Sequence, residues 1–205
     1  MWKNRPVATL AIFAKPPRPG NVKTRLIPDL GATNACRIYR HCLRHTLNIA
    51  RDSGLQYRLH LSEAGDDSTY SGEEYQLQQG VDLGARMLHA LQYQHETFGC
   101  PAMVIGSDCI ELVPETLRSA SEALQEHDLV FVPSIDGGFA LIGCKQIHPD
   151  LFTGVVWSTD QVLKQTLKNA TCLELTCYLL ESVRDIDTLH DLNHFPELLW
   201  LIEPG

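Results

Sequence analysis

The stretch FAKPPRPGNVKTRL, residues 13–26, closes an apolar run that begins at Val7 and leads to a helical pattern opening near Asn34. It sets three prolines and Gly20 among four cations, Lys15, Arg18, Lys23 and Arg25. A loop this stiff and this positive after a buried strand suits a diphosphate, because the cations offset phosphate charge and a glycine lets backbone approach the ligand. Ala14, Lys15, Gly20, Lys23 and Arg25 are therefore candidate nucleotide-phosphate contacts. The plainer alternative is a solvated connection whose charges only keep it wet. Two familiar phosphate loops are excluded by spacing: Asn21 and Val22 separate Gly20 from Lys23, unlike a P-loop, and no G-x-G-x-x-G follows the first strand.

Outward from this loop, the pattern alternates. Residues 7–13 read as a strand covered on both faces. From 34 to 52 the apolar positions Ala35, Ile38, Tyr39, Cys42, Leu43, Leu47 and Ala50 recur at helical steps, ending before Gly54. Residues 57–61 form a second strand and 63–74 an acidic loop. Helices are expected at 83–97 and 114–126, the latter with Pro114 in its first turn, and short strands at 102–105, 129–132 and 139–144. Strands alternating with helices predict an α/β domain, a parallel or mixed sheet covered by helices on both faces, with its site at the carboxyl ends of the strands.

At 205 residues and 23.0 kDa the chain is expected to form one domain, 1–205. Its net charge of -8 is uneven: the first 60 residues hold 11 of the 17 Lys and Arg but only Asp29 and Asp52 as acids. An acidic chain with a basic first third argues against nucleic-acid binding and for a local site taking a small anion. The seven cysteines form no C-x-x-C pair and read as buried thiols of a reducing compartment. Lys3 and Arg5 precede an apolar stretch too short for a typical signal core, and no run approaches the roughly 20 residues that span a bilayer. The expected location is cytoplasmic, with peripheral membrane contact left open.

The candidate chemistry lies in the later loops. Strand 102–105 runs into Gly106, Ser107 and Asp108, which puts a carboxylate at a strand mouth, opposite the cationic loop. There it either holds a divalent cation or caps the following turn. Mg²⁺ or Mn²⁺ is the expected cofactor, since such ions use one or two carboxylates plus substrate phosphates. In 185–192, DIDTLHDL, Asp185 and Asp187 alternate around Ile186 and face one way. Asp187 is the second candidate metal ligand, and Thr188 with Asp191 is a capping pair. Asp136, before Gly137 and Gly138, either accepts a hydroxyl proton or caps its turn. Trp157 offers a flat surface for a sugar or base, or else belongs to the core. Asp82, Gly84 and Arg86 mark a helix entry whose amides meet a ligand or are simply capped.

Taken in order, FAKPPRPGNVKTRL, QQGVDLGARM, IGSDC, DGGFALIGC, WST and DIDTLHDL resemble the bacterial radical-SAM/selenodomain-associated transferase 1 family, once grouped under an uncharacterised-domain label. That family is similar to GT-A-type nucleotide-diphospho-sugar transferases. The resemblance implies a nucleotide-sandwich fold, a divalent metal and transfer from a nucleotide-activated donor. It assigns Lys15, Lys23 and Arg25 to phosphates, Asp108 to the metal, and Asp136 and Gly137 to the transferred group or acceptor. Ile110 stands in place of a common proline, Ala85 of an acid and Phe139 of a tyrosine. The expected function is a glycosyltransferase using a nucleoside diphosphate sugar and an acceptor the sequence does not name. Its alternatives are a nucleotidyltransferase taking a nucleoside triphosphate and a non-catalytic nucleotide-binding protein.

Overall fold

In the first strand, β1 (Thr9–Ala14), every residue is buried, and alternate side chains go to opposite sides of a sheet. Leu10 and Ile12 enter one apolar cluster, while Ala11 and Phe13 enter another. The same division holds in β4 (Ala102–Ile105), where Met103 and Ile105 face the first cluster and Ala102 and Val104 the second. These coordinates are a computed structural model and describe residues 7–203. Lys3 and Arg5, like the ends of the expected domain, lie outside the described residues.

The sheet has seven strands among the described residues, adding β2 (Gln56–Leu61), β3 (Tyr75–Leu77), β5 (Leu129–Pro133), β6 (Phe139–Cys144) and β7 (Cys177–Leu179). Their order is β3-β2-β1-β4-β6-β5-β7, parallel except for β6, which runs antiparallel to both β4 and β5. Helices α1 (Ile27–Ser53) and α3 (Pro114–Glu126) cover the first cluster, and α2 (Leu83–Phe98) and α4 (Val162–Cys172) cover the second. The architecture is the α/β fold expected from the alternation.

The helix expected from Asn34 begins earlier, at Ile27, with Pro28 and Asp29 suited to its first turn. Gly31, at φ 77° and ψ 158°, is not helical, so a short helical segment precedes the main one and the main one starts close to the expected place. Three elements were not anticipated: β3, α4 and β7. The two strands have only three residues each, too few for an alternation to register, and α4 is rich in Thr, Asn and Cys, weak helix formers. The cysteine expectation needs one correction. Cys172, on the last turn of α4, is exposed and Cys177 partly so, while the other five are buried.

A third apolar cluster ties α1 to the segment that follows Ile186. Leu26 and, from α1, Ile38 and Cys42 pack against Ile186, Leu192, Phe195 and Leu198 of the C-terminal segment. Ile110 joins this cluster, so the residue found in place of a common proline fills apolar volume. The short helix α5 (Leu189–Leu192) is closed by the expected capping box of Thr188 and Asp191.

Candidate functional site

Because β6 runs back beside β4, with Ile105 opposite Leu141, the start of β6 lies at the same sheet edge as the carboxyl ends of β1 and β4. The loops after Ala14, after Ile105 and before Phe139 therefore open together. Between them is a cleft of about 700 Å³.

Lys23 stands at its charged end. Its backbone is left-handed, at φ 46°, a strained setting for a side chain with a Cβ. Buried Val22 and Leu26 anchor the loop on either side. The Lys23 side chain is 3% exposed, and its ammonium donates to Asp108 Oδ2 at 3.2 Å and to Asp187 Oδ1 at 3.0 Å. Burial alone would favour the neutral amine, but the two carboxylates outweigh it and raise the pKa above the usual lysine range. Arg25, largely exposed, reaches Asp187 Oδ2 at 3.5 Å.

Asp187 arrives there because its neighbour is apolar. Ile186 is fully buried in the third cluster, and its N–H donates to the Asp108 carbonyl at 3.1 Å, fixing the aspartates on either side at the cleft. Asp185 shares the cleft wall; burial and the charges of Asp136, Asp187 and Asp108 push its carboxyl up to about 6. Tyr39, buried on α1, joins the two loops from below. Its hydroxyl accepts from the Lys15 N–H at 2.7 Å and bonds to Ser107 Oγ at 3.0 Å, and burial pushes its pKa to about 12.

The opposite wall is apolar, built from Phe13, Met87, Val104, Phe139 and Trp157. Trp157 lies against the first turn of α2, where a Cβ on Gly84 would sit 2.5 Å from the indole Cζ2. Gln78 closes one side, its amide donating to the His60 carbonyl at 2.9 Å and the Ala14 carbonyl at 3.4 Å.

Of the residues singled out by sequence, Ala14, Lys15, Lys23, Arg25, Arg86, Ser107, Asp108, Asp136, Gly138, Trp157 and Asp187 line this one cleft. Gly20, Asp82, Gly84 and Gly137 do not. Gly20 turns the loop at φ 90° without reaching the cleft wall, and Asp82 caps α2 through Ala85 N–H. Gly84 makes room for Trp157. Gly137, at φ 91°, lies so close to Asp160 that a Cβ would meet its carbonyl oxygen at 2.2 Å. Arg18 is committed elsewhere, to Glu63 at 3.0 Å. Asp136 caps its turn, Oδ1 accepting from Ser134 Oγ and Gly138 N–H, and the residue also lines the cleft. Tyr39, Gln78 and Met87 also line the cleft; Tyr39 and Met87 carry the apolar helical spacing of scaffold, and Gln78 follows β3, which has no sequence pattern of its own.

Among the described residues no three His, Cys, Asp or Glu side chains gather as a metal cluster. Asp108 and Asp187, 43% and 37% exposed, offer two hard oxygen donors at the cleft. That donor set fits a magnesium or manganese ion completing its shell with phosphate and water, and does not fit a zinc centre. No helix among the described residues is long and apolar enough to cross a membrane.

A family model described as an uncharacterized protein conserved in bacteria, DUF2064, matches residues 46–159. No curated protein matches the chain. A Desulfovibrio desulfuricans structure, named by inference a nucleotide-diphospho-sugar transferase, is 28% identical with a TM-score of 0.88, over 95% of this chain and 88% of that one. Rv0371c of Mycobacterium tuberculosis, solved as a complex with manganese, is 18% identical with a TM-score of 0.55, over 93% and 98%. A nucleotidyl transferase from Methanothermobacter is 15% identical with a TM-score of 0.60, over 94% and 98%. The last two likenesses concern the fold alone.

Proposed function

The chain belongs to the DUF2064 family, and from that premise we propose that it is a transferase moving a sugar from a nucleoside diphosphate sugar to an acceptor hydroxyl. We place it in the radical-SAM/selenodomain-associated branch its motifs resemble, acting as one domain in the cytoplasm. The reading rests on one observation: Lys15, Lys23 and Arg25 from the first loop, and Asp108 and Asp187 from distant loops, meet at one cleft. Its charged end suits a diphosphate and its apolar wall suits a base or sugar face.

In this reading Lys15 and Arg86 contact the donor phosphates, since neither forms an ion pair within the described residues and both line the cleft. Trp157 and Phe139 orient the base or sugar. The acceptor hydroxyl attacks the anomeric carbon, the bond from that carbon to the diphosphate oxygen breaks, and the hydroxyl proton passes to Asp136 through Oδ2. Asp108 and Asp187 would hold a divalent cation, which when bound would supply charge stabilisation to the leaving diphosphate. The manganese complex of Rv0371c supports this assignment by analogy of fold.

Nucleotidyl transfer is the second reading, favoured by the likeness to the Methanothermobacter enzyme. The test is a panel of nucleoside diphosphate sugars and nucleoside triphosphates with Mg²⁺ or Mn²⁺. Metal-dependent release of a nucleoside diphosphate from a sugar donor is expected. Pyrophosphate release from a triphosphate, without turnover of any sugar donor, would replace the first reading with the second.

A further inference from the structure

We propose that Lys23 is a resident counter-ion that neutralises Asp108 and Asp187 in advance, so that a divalent cation is held weakly until donor phosphates complete its shell. The inference rests on the nucleotide-transferase reading of the cleft and concerns how that site is loaded.

The charges balance before any ligand arrives. Two carboxylates face one buried ammonium at 3.2 and 3.0 Å, and Arg25 adds a second positive charge at 3.5 Å from Asp187. The ammonium cannot drift into solvent. Its side chain is 3% exposed, its backbone is set at φ 46°, and Val22 and Leu26 hold the loop from both sides. A divalent ion approaching Asp108 and Asp187 thus meets carboxylates already engaged, with a fixed like charge beside them. At such separations near a protein surface like charges repel strongly. Asp136 and Asp185 face the same cleft but form no ion pair with Lys23 among the described residues. Phosphate oxygens supply the missing negative charge, so cation and nucleotide bind best together.

Lys15 lies on the same loop, but its side chain is exposed and pairs with no acid within the described residues. One lysine of the loop is therefore available to phosphate, while the other is spent on the metal-facing acids.

Mn²⁺ alone is titrated into the full chain at pH 7.5 without nucleotide, and free Mn²⁺ is read by electron paramagnetic resonance. Lys23→Met keeps the length of the buried stem and removes the charge; Lys23→Gln reads the same quantity should Met prevent folding. Neutralisation is expected to tighten Mn²⁺ binding at least about tenfold, and adding Asp108→Asn is expected to remove the gain. Equal, weaker or undetectable binding in the neutral variant overturns the proposal, as does a gain that survives Asp108→Asn. A nucleotide screen by thermal shift on the unaltered protein judges the transferase reading separately, because stabilisation by no nucleotide would sink that reading and leave the Mn²⁺ comparison intact.

Discussion

His60 offers a quantitative check on the packing behind the cleft. It lies on β2, 1% exposed, between Phe13, with ring centroids 5.9 Å apart, and Tyr93 at 6.1 Å. Neither ring nitrogen has a hydrogen-bond partner among the described residues. Burial, with the charges of His89 and Arg58, lowers its pKa to about 4. In the unfolded chain a histidine titrates near 6.5, so as the pH falls the unfolded state takes up the proton first. This contribution to stability is complete above about pH 6.5 and is lost progressively down to about 4. Between pH 7.5 and 5.0 the loss spans about 1.5 pH units below the unfolded pKa, or about 2 kcal/mol at roughly 1.36 kcal/mol per unit. Urea denaturation at both pH values, on the wild type and His60→Leu, measures it. The wild type is expected to lose about 2 kcal/mol more than the variant on acidification. Equal losses would refute the argument that a buried neutral ring supports the wall at Phe13.

The remaining predictions concern the cleft and its supports. Gly84→Ala puts a methyl group 2.5 Å from the Trp157 indole, and overpacking of that kind costs about 1–3 kcal/mol; unchanged urea stability and unchanged tryptophan fluorescence would show that the two are not in contact. Lys15→Met is expected to weaken binding of nucleoside diphosphates at least about tenfold, whereas Arg18→Met, which removes a cation committed to Glu63, leaves affinity within about twofold. Calorimetry on both variants decides it, and similar losses would contradict the division of labour within the loop.

Much of the fold was legible because its signals are local. The start of α3 follows from Pro114, and the expected ranges of α2, β4 and β6 match the observed ones to within a residue. β3 and β7 escaped because three-residue edge strands are defined by their neighbours, and the early start of α1 because Gly31 interrupts its pattern. Where Gly20 and Gly84 stand relative to the cleft was not legible for a related reason. Sequence marks a glycine as permissive, but whether the freed space meets a ligand, a tryptophan or solvent depends on what folds against it.

By itself, the sequence determined an alternation of strands and helices, a proline-stiffened cationic loop after the first strand, and acids at the mouths of later strands; all are properties of residues adjacent in the chain. Tertiary structure alone decided which charges cancel. Lys23 and Asp187 are 164 positions apart, and only the burial of Ile186 against Leu26 and Ile38 brings them to 3.0 Å. Coulomb energy depends on distance through space rather than along the chain, so the division between Lys23, held by two acids, and Lys15, which forms no ion pair among the described residues, could not be read before the chain had folded.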